Sequence, residues 1–72
     1  MQIEKQINIE GEYIKLDQLL KLAGMVDSGG HAKLVILSGD VKVNGQTVVQ
    51  RGKKIRAGDK VIYNDTEIEI VN

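Results

Sequence analysis

The sequence predicts an α+β fold of two short packed helices followed by a β-hairpin and further strands in a small, mostly antiparallel sheet. Three observations carry that expectation. Apolar residues recur twice at helical spacing between Leu16 and Gly39, the period falls to two from Asp40 onward, and Asn44-Gly45 sits between two β-branched runs. At 72 residues the chain is expected to form one domain over 1–72. A domain of this size buries only about 60% of its unfolded surface. Its core must therefore be packed densely with Ile, Leu and Val, because Phe and Trp are absent.

Ile3, Ile7 and Ile9 alternate with polar residues, which predicts a half-buried strand, weakened by Lys5 on the apolar face. Glu10-Gly11-Glu12 reads as a turn. Leu16, Leu19, Leu20 and Ala23 then form one apolar stripe, with Asp17 as N-cap or first-turn acid and Gly24 as the stop. Ser28 has the chemistry of a second N-cap, followed by Ala32, Val35 and Ile36 at the same spacing and by Gly39 as a second stop. A connection of about four residues puts the two helices side by side. Val41-Lys42-Val43, Asn44-Gly45 and Gln46 to Val49 make the hairpin. Ile55 precedes a turn at Ala57-Gly58-Asp59, and Lys60–Tyr63 and Glu67–Val71 flank a last turn at Asn64-Asp65.

Composition narrows the function classes. Without cysteine there are neither disulfides nor thiolate metal sites, as suits a reducing cytosol. No run approaches the ~18 apolar residues of a membrane span, and the acidic, alternating start is unlike a signal peptide. A cytoplasmic, monomeric domain without membrane contact is expected. Net charge is zero but unevenly spread. Residues 1–14 carry a net −2 and residues 65–72 a net −3, while residues 15–64 set nine Lys and Arg against four Asp, a net +5. Such polarity along the chain points to a charged partner.

Three constellations could meet that partner. Ser28-Gly29-Gly30-His31-Ala32-Lys33 opens a helix, where free N–H groups and the helix dipole favour an anion. The glycines leave those amides uncovered, and His31 and Lys33 add donors. The competing reading is a plain cap and tight turn, and His31 and Lys33 diverge by roughly 100° on either side of Ala32. Arg51, Lys53, Lys54 and Arg56 place four bases within six residues with no acid among them, which suits phosphate contact. A solvated basic loop is the alternative. Lys42 points to solvent from the hairpin.

Catalysis is not expected. Ser28 and His31 lack a placed acid, one His and no Cys leave scattered carboxylates for a metal, and no glycine-rich nucleotide motif is present. No cofactor is expected either. Tyr13 and Tyr63 are the only aromatics, so the chain lacks the stacking platform that reads splayed single strands. A binder of this kind should recognise the backbone shape and phosphates of structured RNA.

From Lys15 to Tyr63 the sequence resembles the RNA-binding domain family named after ribosomal small-subunit protein four, the αL domain. The resemblance rests on KLDQLLKLAG, Ser28 to Ile36 with its Ala32, Gly39, VKVNG and AGD in that order. It covers about two-thirds of the chain and is strongest to the short stand-alone bacterial members, which carry SGG and RGKK-like stretches and no attached catalytic domain. It implies binding of structured RNA, ribosomal or transfer RNA, in ribosome assembly or translation, with ribosomal proteins as further partners. By motif it assigns contacts to Lys15, Lys33, Lys42 and Asn44. The family commonly has a basic residue just after the serine, where this chain has Gly29, so contact there must come from backbone amides or His31.

Two alternatives remain at this stage. VNGQTVV and AGDKVIYNDTEIEIV are similar to the second half of β-grasp sulfur carriers, but the sequence ends Ile70-Val71-Asn72 in place of the Gly-Gly that their chemistry needs. A protein–protein adaptor on a ribonucleoprotein would instead use the basic stretch to dock an acidic partner.

Overall fold

The computed structural model describes residues 3–72. Its elements are β1 (Ile3–Asn8), β2 (Ile14–Lys15), α1 (Leu16–Leu22), α2 (Gly29–Leu37), β3 (Val41–Val43), β4 (Gln46–Thr47), β5 (Lys54–Ile55), β6 (Lys60–Tyr63) and β7 (Thr66–Val71). Five strands form one sheet in the order β1-β7-β6-β3-β4, and β2 pairs with β5 in a separate antiparallel ribbon. The α+β expectation holds, with one addition: β1 runs parallel to β7, so the larger sheet is mixed. No helix among the described residues is long and apolar enough to cross a membrane.

Both helices end as their glycines predict. Gly24 takes φ +73° and donates its N–H to Lys21 O, while Met25 N–H reaches Leu20 O. Gly39 at φ +81° repeats the pattern with Ile36 O, and Asp40 N–H with Val35 O. These are paired Schellman closures, which need a left-handed residue just past the helix and so favour glycine. The connection runs from Ala23 to Ser28, and one long crossover helix of the β-grasp kind is thereby replaced by two.

The helix starts differ. Ser28 Oγ accepts the His31 N–H at 3.1 Å, an ordinary side-chain cap for α2. α1 has none. Lys15 holds its N-cap position, and Asp17 is a first-turn acid whose Oδ1 accepts the Gln18 N–H at 2.8 Å. The orphan amides of Leu16 and Asp17 donate instead to the carbonyls of Lys53, at 2.9 Å, and Arg51, at 3.1 Å.

The Asn44-Gly45 turn has positive φ at both residues, +51° and +86°, as a two-residue type I′ hairpin requires. β4 is shorter than the expected Gln46–Val49 strand. Val48 N–H still reaches Val41 O, but Val49 is exposed. Asn64 begins the second tight turn in the left-handed region, between paired Tyr63 and Thr66.

One apolar cluster joins the layers. The helices contribute Leu16, Leu19, Leu20, Ala32, Val35 and Ile36, and the sheet contributes Val41, Val43, Val61, Tyr63, Ile68 and Ile70. Ile55 of the ribbon is buried in the same cluster. β1 keeps its expected alternation only in part, because Ile3 is 55% exposed while Ile7 is half-buried and Ile9 buried. Lys5 sits on the apolar side for a reason the alternation does not reveal. Its Nζ donates to Ala23 O at 3.0 Å, at the negative end of α1.

The sheet's other face carries the acids. Register aligns Glu4 with Glu67 and Gln6 with Glu69, and the Gln6 amide donates to Glu69 Oε1 at 3.0 Å. Lys60 lies across from Glu69. The two ends of the chain thus set Glu4, Glu67 and Glu69 side by side on this face, with Lys60 and Lys42 on the neighbouring strands.

Candidate nucleic-acid interface

The carbonyl bonds at the start of α1 fix the basic segment in space. Because Arg51 and Lys53 cap Leu16 and Asp17 through their carbonyls, the backbone of the basic segment is anchored at the positive end of α1, and both residues are exposed there. In the ribbon, Ile14 pairs with Ile55 and Lys15 with Lys54. The isoleucines turn inward, so the two lysines share the solvent face. Directly opposed like charges cost stability on the scale of about 0.2–1 kcal/mol. Neither strand carries an acid to offset that cost. Lys54 Nζ lies 4.9 Å from the centre of the Tyr13 ring, within cation–π range.

The turn after β5 extends the same neighbourhood. Asp59 accepts the Arg56 N–H through Oδ2 at 2.9 Å and the Asn44 amide through Oδ1 at 3.0 Å. Asn44 Oδ1 in turn accepts the Lys60 N–H at 3.0 Å. The Arg56 N–H bond holds the Asp59 carboxyl below the usual carboxylate range. Burial opposes this, and the Asn44 amide and the Lys53 and Arg56 cations add to it. Lys53 also lines an open groove of about 360 Å³ with Val43, Asn44, Gln46, Val48 and Gln50. The β3–β4 and β5–β6 turns are therefore bonded to one another, and Lys53, whose carbonyl caps α1, lines the groove beside the hairpin.

The structure brings together Lys15, Arg51, Lys53, Lys54 and Arg56. The start of α2 is built separately. Its bonds stay within Asp27–Ala32, with Ser28 Oγ on His31 N–H and the Asp27 N–H donating to His31 Nδ1 at 3.4 Å. Ser28 is thus spent on capping, and His31 is exposed with its Nδ1 turned back toward the Asp27 N–H. A side chain at Gly29 would meet nothing within 4 Å and one at Gly30 only Ser28 Oγ at 3.8 Å, and Lys33 is exposed further along the same helix. Lys42 lies elsewhere, on the outer face between Thr47 and Ile62, one strand from Glu67. Asn44 has both ends of its side-chain amide engaged in bonding the two turns.

Sequence reasoning missed two members of this neighbourhood. Tyr13 is 40% exposed beside Lys54, whereas Tyr63 is 8% exposed in the core. Asp59 reads in the sequence only as a turn residue, and its partner Asn44 lies 15 positions away. Among the described residues, no group of three or more His, Cys, Asp or Glu could hold a metal ion.

Two short helices closed by glycines on a mixed sheet, with a basic segment anchored at the start of α1 beside a two-stranded ribbon, define a small α+β domain of a particular type. The chain belongs to the S4 domain family, whose profile matches residues 7–71. It is 44% identical over 67 residues to the Bacillus subtilis protein named Probable ribosome maturation protein RlbA, covering 92% of this chain and 94% of that one. It is 37% identical over 59 residues to Escherichia coli YbcJ, covering 82% and 84%. The solution structure of YbcJ, described as revealing an αL motif involved in RNA binding, superposes with a TM-score of 0.67 at 30% identity over 100% of this chain and 90% of YbcJ. A tyrosine–tRNA ligase of Burkholderia lata matches at 39% over 56 residues, which is 78% of this chain but 14% of the ligase. That likeness is confined to a small part of the enzyme.

Proposed function

We propose that this chain is a non-catalytic RNA-binding module that grips phosphates of structured RNA with the cations at the start of α1. The observation that carries the reading is the alignment of Lys15 with Lys54 beside a helix start capped by the backbone of Arg51 and Lys53. A fold that tolerates opposed lysines with no acid between them has a surface suited to a polyanion, and the helix dipole adds to the field there. The amides of Gly29 and Gly30, with His31 and Lys33, form a second and smaller phosphate contact. Lys42 is the outlying member of the candidate set, since it shares its face with carboxylates.

Ribosomal RNA in an assembling subunit is the target we favour, because the B. subtilis relative named for ribosome maturation matches over 94% of its length. Transfer RNA is the alternative target that the ligase likeness brings in. The protein would act in the cytoplasm as a monomer. An adaptor role has one observation in its favour: Leu34 and Leu37 of α2 are 66% and 55% exposed.

The test is binding of the purified protein to ribosomal and transfer RNA across a salt series. With ~3–5 phosphate contacts, log affinity should fall against log salt with a slope of roughly −2 to −5, and structured RNA should be preferred over single strands. No binding at low salt would overturn the reading and leave the adaptor.

A further inference from the structure

We infer that Tyr13 is a stacking site for one unpaired nucleotide, placed so that Lys15 and Lys54 hold the phosphates beside it. The inference rests on the RNA-binding reading and adds a contact to bases that a phosphate-and-shape mechanism lacks.

Tyr13 immediately precedes β2, whose Lys15 aligns with Lys54, and Lys54 Nζ stands 4.9 Å from the Tyr13 ring centre. Tyr13 is 40% exposed, so part of its surface faces solvent beside the Lys54 ammonium. Tyr63, the second aromatic, is closed in the core and cannot take this role. One ring falls short of a platform that reads several splayed bases, but it suffices for a single base. Stacking of that kind tolerates any base, because each presents a π-face.

Lys54 explains how the ring is kept ready. Over a bare ring its ammonium gains a cation–π contact in place of water. A phosphate arriving between Lys15 and Lys54 neutralises the opposed charges and draws the ammonium toward itself. Ring surface is then released to the neighbouring base. The RNA element that fits is a paired stem carrying a bulged or overhanging nucleotide: the stem phosphates meet the cations at the start of α1, and the extra base meets Tyr13.

Binding of a blunt RNA hairpin and of the same hairpin with one bulged nucleotide tests this in the wild type, Y13F and Y13L. The wild type and Y13F should prefer the bulged hairpin, and in Y13L the ratio of bulged to blunt affinity should fall about tenfold, the change expected for stacking one base. The chain has two tyrosines and no tryptophan, so stacking also has a direct readout. The bulged hairpin should quench wild-type tyrosine emission and leave that of Y13L, which retains only buried Tyr63, unchanged. Equal affinity of wild type for both hairpins, or a Y13L variant that behaves as wild type, overturns the stacking site while the phosphate reading stands. Failure of the wild type to bind either hairpin overturns both.

Discussion

Reversing two charges at the start of α1, in the double variant K53E/K54E, isolates the electrostatic part of the interface from the fold. Each phosphate contact contributes about 0.7–0.9 to the slope of log affinity against log salt. Removing two should therefore flatten the slope by roughly 1.4–1.8 and weaken binding at 0.1 M salt on the order of 50-fold, with the curves converging at high salt. All structured RNAs should be affected alike, because the contacts are to backbone. The fold should hardly change. Lys53 acts on α1 through its carbonyl, which the substitution retains. Losing Lys54 from the Tyr13 ring costs about 0.5–1 kcal/mol, and turning the Lys15 pair into opposite charges returns about 0.2–1 kcal/mol. Fluorescence anisotropy across a salt series measures the first effect, and thermal unfolding followed by circular dichroism the second. An unchanged slope in a variant that unfolds as the wild type does would refute the placement of the site.

Three further outcomes follow from the geometry. Gly24 sits at φ +73° in open space, so G24A meets no clash and loses about 1–2 kcal/mol from the left-handed backbone alone, which should lower Tm by several degrees; an unaltered Tm would remove the Schellman argument. Ile36 is fully buried in the core, and I36A should cost roughly 2–5 kcal/mol, enough to leave much of so small a domain unfolded in urea titration. Asp59 has a folded pKa below its ordinary 3.8, so its stabilising bonds are complete above that value and are lost as pH falls through the folded value. D59N does not titrate. The Tm gap between wild type and D59N should be widest at neutral pH and close below about pH 4, and a gap independent of pH would show that the Asp59 charge adds nothing.

What the sequence discloses and what it hides divide by the range of the interaction. The switch from helical to strand period at Asp40, the glycine stops at Gly24 and Gly39 and the Asn44-Gly45 turn are local, and each appears where expected. The parallel pairing of β1 with β7 joins the two ends of the chain, and no local pattern announces a contact of that separation. Lys5 looks misplaced on an apolar strand face until the C-terminal carbonyls of α1 are brought over it. The ribbon is harder still. β2 and β5 are two residues each, too short to express a period, so the pairing that aligns Lys15 with Lys54 leaves no mark in the pattern.

The helix start shows most clearly why residue lists from sequence name a site without assembling it. Capping by side chains is legible, as at Ser28, because only a few residue types can do it. Capping by carbonyls is not, because every residue has one. The basic run could have been a solvated loop anywhere on the surface. The bonds from Leu16 and Asp17 to Lys53 and Arg51 anchor it at the positive end of α1. The β1–β7 pairing also gathers Glu4, Glu67 and Glu69 on the sheet's outer face. In the proposed binding mode a polyanion would approach the α1 start and not the face that holds these carboxylates. A neutral chain can thus present a directed field, because the contacts that close the fold also sort its charges.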